Sequence, residues 1–99
     1  MTQLTFATFT AQLKPLPDTT AARHVVRQRV LWMLDHDGPA TPDEVAERLA
    51  LSVLSVRPAV TALKDAGMIE RTGTRRATVL GSTAAEWRLT DAGRVELGR

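Results

Sequence analysis

His24 and His36 are the residues of this 99-residue chain best suited to acid–base or metal chemistry, and their surroundings argue against both uses. Asp35-His36-Asp37 sets three ligand types side by side, but adjacent residues near a helix end point apart and lack the spacing that a metal site needs. A histidine in the last turn of a helix is favoured by the macrodipole without any ligand. There is no cysteine, which removes disulfides, thiolate metal sites and thiol nucleophiles together. No Gly-rich phosphate loop and no Ser-His-Asp set with a supporting context is present. Catalysis has no evident carrier, so the chain reads as a non-enzyme with no metal and no cofactor.

The cationic residues carry more information. Arg71, Arg75 and Arg76 fall in one polar stretch with Thr72, Thr74 and Thr78 as neutral hydrogen-bonding neighbours. Guanidinium stays charged and offers several donors, so a flexible Arg-rich loop suits a phosphate backbone or a narrow minor groove. The plain alternative is a solvated hairpin tip. The formal charge is only +2, but residues 1–50 carry five Lys/Arg against six Asp/Glu, and residues 51–99 carry eight against five. The basic character therefore lies in the second half.

These residues need elements to position them. A chain of this length has room for one core, and 43% hydrophobic with 24% charged residues is the composition of a folded globule. Residues 1–17 read as an arm and linker. Phe6, Phe9 and Leu13 recur there at helical spacing, Leu4, Phe6 and Thr8 equally suit a short strand, and Pro15 and Pro17 block a continuous helix into the next segment. The domain proper is expected over 18–99. Asp18, Thr19 and Thr20 are N-cap candidates for a helix running from Ala21 to His36, with Gly38 as its stop. Its apolar stripe is Ala22, Val26, Val30, Met33 and Leu34, and Val25 and Trp32 mark a second face.

Thr41-Pro42-Asp43-Glu44 is a capping box that opens a short helix to about residue 50, with Val45, Ala46 and Leu49 facing inward. Another helical periodicity, Val56, Ala59, Val60 and Leu63, ends at Gly67. Beyond it the pattern turns extended. Met68 to Arg71 and Ala85 to Leu89 form a hairpin with a long polar tip, and Thr90 caps a last short helix carrying Val95 and Leu97. The fold class is mainly α with a small β-hairpin. The opening MTQLTFATFTAQLKPL lacks a basic region followed by an apolar core, and no segment has the roughly 20 apolar residues that span a bilayer, so a soluble cytoplasmic protein without membrane contact is expected.

The stretch from Pro42 to Gly67 has the spacing of a helix-turn-helix. TPDEVAERLALSVLSVRPAVTALKDAGMIERTG, followed by EWRLTDAGRVEL, resembles the winged helix domains of MarR-type and phage-encoded bacterial regulators. The resemblance covers about residues 20–97. It implies a three-helix core with a two-stranded wing, a recognition helix over Val53 to Ala66, a wing over Met68 to Leu89, and LTDAG opening the helix after the wing. Two positions depart from it. Ala50 stands where such turns often have Gly. Pro58 lies inside the expected recognition helix, which places the regular start of that helix near Ser55 as its N-cap.

What the resemblance implies is sequence-dependent binding of double-stranded DNA and transcriptional regulation in a bacterium or phage. Ser55, Arg57, Pro58, Thr61 and Lys64 would enter the major groove, and Arg71, Arg75 and Arg76 would meet the backbone or minor groove. The alternative is a winged helix used only for protein contact, because the recognition segment is short of the Arg, Asn and Gln that read bases. Phe6, Phe9, Leu13, Val25 and Trp32 also suggest a homodimer through the arm and first helix, the alternative being an arm folded back on its own first helix, which hides the same five residues.

Overall fold

Thr19 sets the start of the first helix, as its hydroxyl accepts the Ala22 N–H at 3.1 Å. The computed structural model describes residues 19–78 and 81–99. The arm with Phe6, Phe9 and Leu13, and the cap candidate Asp18, lie outside these. Helix α1 (Thr20–Asp37) ends at Gly38, whose N–H makes the last helical bond to the Leu34 carbonyl and whose φ of 85° then turns the chain out of the helix. Val26, Val30, Met33 and Leu34 are buried as the stripe requires. So is Leu31, a residue off that stripe, because α1 is covered on two flanks, by the third helix and by the hairpin. Val25 and Trp32 remain open to solvent, at 43% and 45% exposure.

Helix α2 (Pro42–Leu49) begins with both halves of the capping box. Glu44 N–H donates to Thr41 Oγ1 at 3.2 Å, and Thr41 N–H donates to Glu44 Oε1 at 3.0 Å. At its end Ala50 adopts φ 56°, ψ 41°, in the left-handed region. Ala50 N–H bonds the Glu47 carbonyl and Leu51 N–H the Ala46 carbonyl, the paired closure usually built on glycine. An alanine does so at a steric cost of about 1–2 kcal/mol.

Helix α3 (Val53–Asp65) starts earlier than the proline suggests. Its N-cap is Ser52, not Ser55: Ser52 Oγ accepts the Leu54 N–H at 3.1 Å, and the Ser52 carbonyl accepts from Ser55. Pro58 is therefore inside the helix. It removes the donor that would serve the Leu54 carbonyl, and Leu54, Arg57 and Pro58 all lie on the exposed side, where water can replace it.

The hairpin is longer than its apolar residues indicate. Strand β1 (Ile69–Ala77) pairs antiparallel with β2 (Thr83–Leu89), with Arg71 opposite Trp87 and Arg75 opposite Ala85. Between those pairs Thr72, Gly73 and Thr74 face the single residue Glu86, a bulge in which Gly73 takes φ 94°. Arg75 and Arg76 thus stand on a strand, not in a flexible tip. Ala40 adds a short third edge, exchanging two backbone hydrogen bonds with Trp87 at 3.0 and 2.8 Å.

Helix α4 (Asp91–Glu96) is capped by Thr90, whose hydroxyl accepts from Gly93 N–H and donates to the Gly67 carbonyl. A Cβ on Gly93 would come within 2.3 Å of the Met68 carbonyl oxygen, so only glycine lets the helix lie this close to the start of the hairpin. Leu97 packs on the core and Val95 stays exposed. The core itself centres on Val30, Leu31, Val45 and Val56, closed by Ile69, Trp87 and Leu89. Among the described residues no helix is long and apolar enough to cross a membrane, and no group of three or more His, Asp or Glu side chains converges as metal ligands would.

Candidate nucleic-acid interface

Helix α3 buries Val56, Ala59, Val60 and Leu63. That places Leu54, Pro58 and Thr61, at i, i+4 and i+7, on the line opposite the core. All three are exposed. Arg57 and Lys64 border this line on one side, and Ser55, half-buried, lies on the other. Lys64 is 3.6 Å from its neighbour Asp65. Arg57 points back across the turn, with its Nη2 3.6 Å from Asp43 Oδ1. At that distance the pair is an ion pair and not a hydrogen bond, and the Arg57 side chain keeps 62% of its surface.

The wing arginines have separate environments. The Arg71 guanidinium lies 5.4 Å from the centre of the Trp87 ring, within cation–π range. Arg75 donates from Nε to Thr83 Oγ1 and from Nη2 to the Thr83 carbonyl, both at 3.1 Å, and stays on the outer surface. Arg76 is held by partners within the fold, although 41% of its side chain stays exposed. Its Nε donates to Glu86 Oε2 at 2.7 Å, its Nη2 contacts the same oxygen, and its Nη1 reaches Glu44 Oε2 at 3.3 Å.

Glu86 is buried, at 7% exposure, with Thr72 Oγ1 donating to its Oε1 at 2.7 Å. The Thr72 hydrogen bond, and then that of Arg76, lower the Glu86 carboxyl below its ordinary value. The hydrogen bond to Glu86 likewise raises the Arg76 guanidinium above its own.

The two arms of the surface meet on consecutive residues. Asp43 takes Arg57 from α3, and Glu44 takes Arg76 from the wing, both in the first turn of α2. The same Glu44 closes the capping box with its other oxygen. Sequence reasoning did not single out Glu86, Asp43 or Leu54. Glu86 gave no signal of its own, since it falls on the polar side of the Ala85 to Leu89 alternation, which assigns it to solvent.

The comparisons with known proteins agree with this architecture. A PadR-like transcriptional regulator from Bacillus cereus superposes with a TM-score of 0.62 at 20% identity, over 81% of this chain and 81% of that one. A putative transcriptional regulator from Thermoplasma acidophilum gives 0.62 at 16% identity, over 81% and 80%. The YusO protein from Bacillus subtilis gives 0.59 at 17% identity, over 94% of this chain and 62% of that one. At such identities the likeness establishes the fold, a winged helix. No curated protein matches the sequence. The comparisons carry the winged helix but do not select the MarR-type branch that the sequence resembles. The profile of the FaeA-like protein family matches residues 26–90, well over half of the chain, and the protein belongs to that family.

Proposed function

We infer that the protein binds double-stranded DNA with sequence dependence and regulates transcription in a bacterium or phage. The observation that carries this reading is the meeting of Arg57 and Arg76 on Asp43 and Glu44, which makes the exposed side of α3 and the wing one continuous surface. The structural neighbours named as transcriptional regulators support it. On this surface Ser55, Arg57, Pro58, Thr61 and Lys64 enter the major groove, and Arg71 and Arg75 meet phosphates. Arg76 belongs to the same interface as the residue that sets the wing's attitude, since its donors are already engaged.

Titration of binding to a random-sequence duplex against salt tests the reading. A negative slope of log affinity on log salt, at about 0.9 per phosphate contact, is expected, and replacing Arg71 and Arg75 together by Ala should reduce it by roughly two. Binding that ignores salt, or no binding, overturns the reading and favours a protein-docking winged helix. That competing reading rests on the absence of Asn and Gln from α3.

A homodimer belongs to the same proposal. Val25 and Trp32 form an apolar face on α1 that stays 43% and 45% exposed, and Trp32 stacks on His36 with centroids 4.7 Å apart. A second copy, brought together through α1 and the arm, would bury that face.

A further inference from the structure

The outermost line of α3 is apolar where a base-reading helix is usually polar. Leu54, in the first turn, is 65% exposed, and the next residue along the line is Pro58, also exposed. A single exposed leucine on a protein surface is ordinary. This one stands opposite the core, continues into the Pro58 ring and the Thr61 methyl, and is bordered by the cations Arg57 and Lys64. An apolar line with cations along one edge suits a major groove, where those cations can reach one phosphate chain while the apolar atoms face the floor. The apolar group exposed on that floor is the C5 methyl of thymine, which pairs with aliphatic side chains and the threonine methyl.

We propose that Leu54, Pro58 and Thr61 read thymine methyl groups, so that the preferred site is specified by the positions of its thymines more than by hydrogen bonds to base edges. This rests on the DNA-binding reading and adds to it what the helix recognises. Leu54 enters first, because the N-terminal turn of a recognition helix lies nearest the bases. Pro58 presents carbon where other residues would present a solvated side chain, and its ring has no rotamers to order on contact.

The experiment takes the preferred duplex from a random pool and replaces every thymine by deoxyuridine, which removes the methyls and keeps every hydrogen-bonding group. The full-length protein is expected to bind the deoxyuridine duplex about fourfold more weakly for each methyl lost, the equivalent of one buried methylene. Leu54→Ala should lose at least one such factor in the ratio of its affinities for the two duplexes. Leu54 packs on nothing in the core, so this variant should fold, and circular dichroism checks it. Any change intrinsic to the altered DNA persists in Leu54→Ala and cancels in the comparison. Equal binding of the two duplexes by the parent, or full discrimination retained by Leu54→Ala, overturns the proposal and leaves the DNA-binding reading standing. Absence of salt-dependent binding to any duplex overturns both.

Discussion

Arg76 Nε and Glu86 Oε2, on facing strands of the wing, stand 2.7 Å apart, and the same guanidinium reaches Glu44 at the start of α2. A buried carboxylate with one hydroxyl and one guanidinium partner thus ties the wing to the helix-turn-helix. Charge-assisted hydrogen bonds of this kind set geometry, as well as adding stability.

The pH dependence comes from the sign of the Glu86 shift. Its folded-state carboxyl lies below the ordinary 4.5, through the Thr72 hydrogen bond first and Arg76 second, so its contribution is complete above that value and is lost as pH falls through the lower folded one. We expect melting temperature to fall as pH is lowered from 5 to below 4. In Glu86→Gln the fall should be shallower over the same range. Parallel melting curves for the two proteins would contradict the assignment.

Gly93 is expected to tolerate no side chain. Gly93→Ala places its Cβ against the Met68 carbonyl oxygen and Leu89, both parts of a packed junction. The cost should be about 1–3 kcal/mol, the range for overpacking a close contact, read as a shift in the urea midpoint without change in slope.

Arg57 is the residue expected to separate specific from nonspecific binding. Its ion pair with Asp43 is long, at 3.6 Å, and its own side chain is 62% exposed, so the guanidinium can leave that partner for a base. Arg57→Ala should cost about 1–3 kcal/mol on a preferred duplex, through loss of a bidentate contact to guanine, and change random-duplex affinity only a few-fold. Equal weakening on both duplexes would reduce Arg57 to a phosphate contact.

Assembly is checked by sedimentation. The full chain is expected to sediment as a dimer at micromolar concentrations, and Trp32→Ala, which removes the centre of the exposed face of α1, should shift it toward monomer. A chain that remains monomeric at high concentration refutes the dimer.

Local signals of residue type and spacing determined much of this architecture. Thr41 and Glu44 lie three apart, which is all a capping box needs, and both its hydrogen bonds are present. Gly38 and Gly67 end their helices with positive φ, as a residue without Cβ allows, and LTDAG is explained by the Thr90 cap and the close approach of Gly93. What the tertiary structure decided were the contacts between residues far apart in the chain. Pro58 by itself argues against a helix starting before Ser55, yet the missing hydrogen bond falls on the solvent side, where water can meet the Leu54 carbonyl. The polar run Thr72 to Ala77 reads as a loose tip because its residues lack apolar alternation. It is a strand because Thr72 and Arg76 find a carboxylate on the facing strand, and Arg76 a second one 32 residues away in α2. Periodicity records which residues face a core, but it carries no record of which charge will meet which across a fold, and that pairing fixed the wing.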